Sequence, residues 1–384
     1  MQRSGLMQLA RFAIPHLLIL FCGLALLAGT WWPWIFFLVL SVAVTVGDAF
    51  LGDDVVVLAS ADERYAHALL FAALPLLIWL ISIVLIVTSP HLQERLIAPD
   101  TILNSYVERW NFSWIQSLGI TLSLGLLIGG IGTSVAHECT HRRHDHWLAS
   151  IGNWLLALSM DSVFPIEHNH GHHKHVGTVL DPATARRGEN VFRFIARSIV
   201  GEYRNALCIE TTRLRRVGTP FFSRHNRYLI ALARSLVILL ASAIIGSAKA
   251  ACVLLAAMIW AKILLETVNY IQHYGLVRLP GSPIEPRHSW NSNAWMSGTI
   301  TFFLTRHSHH HQKGSLSFWR LEPIPQAPTL PWGYLSAIYL ALLSPRRYRL
   351  LMEPALEDWY ARYASPEEQR VGRSDSPSEQ YATV

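Results

Sequence analysis

The sequence predicts an all-α integral membrane protein, with about six transmembrane helices and a cytoplasmic helical cap that carries a histidine-ligated metal centre. Three observations predict it. Half of the 384 residues are hydrophobic and only 15% are charged, against about 25% charged in soluble domains, and the mean hydropathy is +0.28. Six segments approach the roughly 20 apolar residues that a span needs. Nine of the 19 histidines fall into four spaced groups, each where a membrane helix would meet water.

In chain order the spans are read at 11–30, 33–50, 67–88, 113–134, 227–247 and 250–270. Gly29 to Trp34 turns the first into the second, and Trp31, Trp32 and Trp34 sit there as an interfacial aromatic cluster would. Gly246 to Lys249 turns the fifth into the sixth. The N-terminal apolar run is long enough to span and no small-residue cleavage site follows it, so it reads as a span rather than a signal peptide. The 147–166 segment is apolar but carries Asn153 and Asp161. As a seventh span it would put His137 and His168 on opposite faces, so it is expected to be an interfacial or re-entrant helix. The spans are read as carrying no charged pair at mid-depth. Residues 1–363 are expected to form one membrane-embedded domain. Residues 364–384 are polar, lack apolar periodicity and read as a disordered tail.

The stretch from Arg142 to Arg227 is dense in arginine, including Arg186, Arg187, Arg193, Arg197, Arg213, Arg215 and Arg216. The positive-inside rule makes it cytoplasmic, and six spans then put both termini on that side. The 51–65 segment would share that side although it is acidic (Asp53, Asp54, Asp62, Glu63), which the rule tolerates because acidic residues contribute little to it. Net charge is +6, but the basic residues lie between apolar spans, so nucleic acid is not an expected partner. The arginines are a topology signal or, beyond that, a docking face for an acidic electron carrier. The cysteines Cys22, Cys139, Cys208 and Cys252 form no CxxC pair, which excludes a disulfide framework and a four-thiolate iron site.

The histidines carry the chemistry. HECTH places His137 and His141 at i and i+4 on one helix face. Alone it reads as a zinc-peptidase motif with Glu138 as general base, but such a site uses about three protein ligands and leaves the other histidines unexplained. EHNHGHH repeats the pattern with His168 and His172, and His173 beside them. His273 stands alone in NYIQHYG. RHSHHH gives His307, His310 and His311 at i, i+3 and i+4. Nine imidazoles at ligand spacing are too many for one ordinary ion and suit two. Neutral imidazoles suit iron among the redox-active metals and leave copper and nickel open by ligand type. Buried carboxylates beside lipid are costly. All-histidine ligation avoids part of that cost and leaves Glu138, Glu167, Asp181 and Glu266 either to orient imidazole rings or to form ordinary salt bridges. Gly171 and Gly177 would let the backbone approach closely. The other ten histidines (His16, His67, His91, His144, His146, His170, His175, His225, His288 and His309) read as solvated or hydrogen-bonded, although His170 and His309 lie inside ligand motifs. A metal transporter is the competing class. Transport sites lie near the bilayer midplane within spans, whereas these ligands cluster beyond the span ends.

At these residues the chain resembles a known family. HECTH, EHNHGHH followed by DPATARRGE, NYIQHYGL, HSWNSN, LTRHSHHH and APTLPWGY look like the signature runs of the integral-membrane alkane monooxygenases, the AlkB-type hydroxylases, which are related to xylene monooxygenase and to membrane fatty-acid desaturases. The match is specific from about residue 130 to 345; before that it rests on the hydropathy pattern and GDAFLGDD. The resemblance implies two non-haem iron ions, with His137, His141, His168, His172, His173, His273, His307, His310 and His311 as catalytic ligands and O2 as co-substrate. It implies hydroxylation of an unactivated C–H bond, often a terminal methyl, of an apolar substrate such as a medium-chain alkane. Alkylaromatic methyl hydroxylation and fatty-acyl desaturation or decarboxylation are the alternatives on the same site. Electrons would come from NAD(P)H through a reductase and a rubredoxin or ferredoxin. The expected location is a bacterial inner membrane, multi-pass, with the active site facing the cytoplasm. Two residues depart from the family pattern: Cys139 stands where leucine is commoner, and His309 where aspartate is commoner.

Overall fold

A computed structural model describes residues 8–58, 62–102, 104–142 and 144–373. Among the described residues the chain is helical, with two isolated β-bridges and no strand. Six helices are long and apolar enough to cross a membrane: Ala10–Ala28, Trp32–Phe50, Glu63–Val87, Trp114–Thr140, Arg227–Ile245 and Ala248–His273. They match the six expected spans. The third starts where the Asp62 carboxylate accepts from the Arg64 and Tyr65 amides at 2.9 and 3.4 Å. The fourth starts at a capping box, with the Gln116 amide donating to Ser113 Oγ and the Ser113 amide to the Gln116 side chain, so two otherwise orphaned N–H groups are satisfied before the chain turns apolar. The fourth and sixth helices run further than hydropathy predicts. His137 and His273 therefore sit on the last turns of the spans themselves.

The chain divides into two compact units. The first comprises Met1–Ala43, Ser60–Ser162 and Ile230–Leu264. Its helices pack through small residues, as expected where no hydrophobic force drives helices together in lipid. A Cβ at Gly125 would lie 2.6 Å from the Trp260 ring and 2.7 Å from the Ala257 carbonyl oxygen, so only glycine permits that approach of the fourth span to the sixth. His16 bridges the first and third spans through the Phe12 and Leu69 carbonyl oxygens, a packing role. The 147–166 segment is not a seventh span. Its main helix covers His146–Leu158, 13 residues, about 20 Å long against a hydrocarbon core of about 30 Å, and a separate short helix, Phe164–Glu167, follows. Between them Asp161 meets Lys262, from the interior of the sixth span, at 2.9 Å, with both side chains buried. The expectation of spans free of charged pairs fails here. The partner of Lys262 lies outside the spans, about 100 residues earlier in the chain, so inspection of the spans alone cannot find it.

The second unit comprises Val44–Ala59, Val163–Leu229 and Leu265–Val384. The Val191–Arg216 helix is its longest continuous element outside the spans. Asn190 caps it by accepting from the Phe192 amide at 2.9 Å. Near its other end Glu210 accepts from Arg213 Nε and Arg227 Nε at 2.9 and 2.8 Å; despite its burial, these arginines hold its carboxyl down at about 2. Arg306 is buried, donates to the Leu321 and Asp54 carbonyl oxygens at 2.6 and 2.9 Å, and lies over the Phe303 ring. It thereby fixes the start of the His307–Gln312 helix. Residues Pro366–Arg373 form a helix instead of a disordered tail: Glu368 is buried, and its carboxylate meets His288 Nε2 at 2.9 Å. The rest of the expected tail, 374–384, lies outside the described residues.

Candidate metal centre

The EHNHGHH run forms a π-helical turn over His168–His172. A π turn closes i to i+5, which brings the His173 ring to 4.5 Å from His168, against 5.2 Å for the His172 that an α-helical i, i+4 reading pairs with it. His173 Nε2 lies 3.0 Å from His168 Nε2 and 3.1 Å from His310 Nε2. Phe164 stacks on the His168 ring at 4.2 Å and limits its rotation.

His172 points into a second set with His273, His307 and His311. The ligand atoms of these four lie within 4.8 Å of one another, and all four rings are at most 5% exposed. His307 Nε2 is 3.1 Å from His273 Nε2 and 2.9 Å from His311 Nε2. RHSHHH is thus divided as well, with His307 and His311 in one set and His310 in the other. Several buried imidazole nitrogens converging on one point is the donor chemistry of a soft or borderline metal ion. Burial, reinforced by the neighbouring imidazoles, pushes His311 well below its ordinary pKa, into the neutral form that a metal ion needs.

Asp181 orients this second set. Its Oδ2 accepts from His172 Nδ1 at 2.9 Å and from Thr184 Oγ1 at 2.6 Å, and its Oδ1 from the Ala183 amide at 3.1 Å. The proton on Nδ1 leaves Nε2 as the lone-pair nitrogen facing the other rings. Burial alone would lower the His172 pKa, but the Asp181 carboxylate overrides it and raises it; burial likewise raises the Asp181 carboxyl, and His172 overrides it in the other direction. Gly177, at φ +78°, tightens the same loop: a Cβ would lie 2.9 Å from Arg278 Cβ. Thr184 was not singled out by sequence reading, although the DPAT run, an aspartate followed by proline at the first turn position, is a signal for such a turn.

Of the other carboxylates, Glu138 accepts from Arg142 Nε at 3.0 Å, the ordinary salt bridge, which removes the free base a peptidase would need. Glu167 receives the Asn205 amide at 3.5 Å, and Glu266 is fully buried. His137 and His141 lie in the first unit on the last turn of the fourth span, ring centroids 5.2 Å apart. Among the bystanders, His309 accepts from the Glu322 amide at Nδ1, 2.8 Å, and burial lowers its pKa; His170 is exposed. The structure thus separates both from the converging rings.

Residues 112–348 match the fatty acid desaturase family. The alkane 1-monooxygenase of Pseudomonas putida is 36% identical over 261 residues, 66% of this chain and 64% of that protein. Alkane 1-monooxygenase 2 of Pseudomonas aeruginosa is 32% identical over 355 residues, 88% of this chain and 89% of that protein. The hydroxylase component of the xylene/toluene monooxygenase of Pseudomonas putida is 34% identical over 258 residues, 67% of this chain and 69% of that protein.

Proposed function

The chain belongs to the fatty acid desaturase family, among the alkane 1-monooxygenases and their relatives, and on that premise we propose that it is a membrane di-iron monooxygenase that hydroxylates a terminal methyl group of a medium-chain alkane. The observation that carries the reading is the division of seven histidines of one unit into two converging sets, three with His173 and four with His172. Two sets call for two ions. His137 and His141, paired on the last turn of the fourth span, are assigned as the remaining ligands.

Bound iron would supply the O2 chemistry that no side chain can. In the net reaction the substrate and O2 take up two electrons and two protons and give an alcohol and water. The chain's own residues position and exclude. Asp181 and Thr184 hold the His172 ring, Phe164 holds the His168 ring, and the burial of the His172 set keeps water from the reacting atoms. An apolar substrate would reach the site from the bilayer. A rubredoxin or ferredoxin, reduced by an NAD(P)H-dependent reductase, would deliver the electrons. The Arg-rich segments between the fourth and fifth spans support a cytoplasmic active site in a bacterial inner membrane. The likeness to a xylene/toluene hydroxylase supports a second reading, hydroxylation of alkylaromatic methyl groups.

The test is reconstitution with iron, reductase and carrier under ¹⁸O2, on a panel of alkanes, alkylaromatics and fatty acids. A primary alcohol carrying one ¹⁸O atom is expected from a medium-chain alkane. Loss of two hydrogens without oxygen gain, or no product across the panel, would overturn it.

A further inference from the structure

Beside the second histidine set, but outside it, the second unit forms an open-sided cavity of about 710 Å³, within the range of small-ligand sites. Every segment lining it lies outside the six candidate spans. Seven of its lining residues are arginines, against two carboxylates, Asp181 and Glu353. Arg278 is buried, Arg186, Arg187, Arg197 and Arg349 are half-buried, and Arg346 and Arg373 are exposed at the rim; such an excess of partly desolvated cationic charge is unfavourable unless something neutralises it.

Four of the arginines are already engaged. Arg187 pairs with Glu357 at 2.8 Å and also with Glu353. Arg197 pairs with Glu189 at 2.9 Å, and Arg373 with Glu357 at 2.6 Å. Arg278 donates to the Val176 and Lys174 carbonyl oxygens, both at 2.7 Å. The other three, Arg186, Arg346 and Arg349, line the cavity: the Arg186 amide donates to Glu189 Oε2 at 3.0 Å and Arg349 meets the Tyr270 hydroxyl, but their guanidinium groups form no ion pair among the described residues. Arg349 Nη1 is buried and has no hydrogen-bond partner, a donor left open at the cavity wall.

We propose that this cavity binds a phosphate ester, gripped by Arg186, Arg346 and Arg349. Guanidinium groups match phosphate oxygens with paired N–H donors, and three of them together suit a multiply charged or strongly localised anion better than a lone carboxylate. A concave site of this volume suits a small anionic group rather than the flat acidic face of a docking protein. The phosphate ester comes from an anionic phospholipid headgroup or from a soluble compound, and basic pockets of membrane proteins use the first source. The site stands independently of the metal chemistry proposed above, since its lining needs no iron.

The experiment uses the full chain in phosphatidylcholine nanodiscs, with the thermal midpoint followed at fixed ionic strength. One arm adds inorganic pyrophosphate against matched sodium chloride; the other replaces part of the phosphatidylcholine by phosphatidylglycerol. A raised midpoint in either arm is expected. A response to phosphatidylglycerol alone assigns a headgroup, and a response to pyrophosphate assigns a soluble ester. The double variant Arg186→Ala/Arg346→Ala, at half-buried and exposed positions that spare the fold, should weaken the binding at least about tenfold. Arg349→Gln, which keeps a donor without the charge, should weaken it as well. No stabilisation in either arm, or stabilisation that the double variant retains in full, would overturn the proposal.

Discussion

Asp181 accepts two side-chain hydrogen bonds and one from the backbone, and it is the residue on which the second histidine set turns. Carboxylates that hold a ligand imidazole typically carry 10–100-fold in metal affinity. Asp181→Asn should therefore lower iron retention under chelator challenge by about that factor, measured as iron per chain. Glu138→Gln should leave retention unchanged, because Glu138 is engaged by Arg142. A second prediction concerns the buried pair Lys262–Asp161. Removing one member strands a buried charge at a cost of about 3–5 kcal/mol, whereas replacing both by apolar residues is close to neutral. Lys262→Met should lower the thermal midpoint in detergent sharply, and Lys262→Met/Asp161→Leu should recover most of it. At this scale the sequence is an uneven guide. His309 lies inside a ligand motif, and only the Glu322 amide at its Nδ1 reveals that it faces away. Thr184 was legible in principle from its turn motif, but Lys262 was not, since nothing in the local sequence points to Asp161.

The helices were the most legible elements, because a span's apolar length is a local property. Their ends were less so: the fourth and sixth spans continue through HECTH and NYIQH because intrahelical hydrogen bonds persist beyond the apolar run. The π turn at His168–His172 was illegible, since an i, i+4 spacing assumes an α-helix, and the extra residue in that turn reassigns His172 to a different set. Two predictions belong here. The His146–Leu158 helix approaches the turn that bears His137 at Gly152, where a Cβ would lie 2.7 Å from Cys139 Cβ and 3.2 Å from the Ala136 carbonyl oxygen. Overpacking of this kind costs about 1–3 kcal/mol, so Gly152→Ala should reduce the unfolding free energy by that amount in denaturant titration. The end of the Val191–Arg216 helix is held by Glu210, whose carboxyl drops from 4.5 to about 2 beside Arg213 and Arg227. A folded-state value below the unfolded one stabilises above pH 4.5 and loses that contribution as pH falls towards 2. The difference in midpoint between the parent chain and Glu210→Gln should accordingly be constant above pH 4.5 and shrink below it; a difference that persists at pH 2 would contradict the clamp.

For the molecule as a whole, composition and hydropathy carried the fold class, and family resemblance carried the metal and the reaction. The division of the histidines into two sets came only from the structure, because it depends on which rings meet across residues more than 100 apart, as His173 and His310 do. The helix at Pro366–Arg373 belongs to the same category: polar sequence reads as disorder, and the His288–Glu368 contact that anchors it is long-range. The central claim is that this architecture holds two metal ions on imidazoles. It is tested most directly by the iron content of the purified chain alongside that of a His273→Ala/His311→Ala variant, both by elemental analysis. Two irons per parent chain and at most one in the variant are predicted. A single iron in the parent, or zinc in its place, would contradict the account.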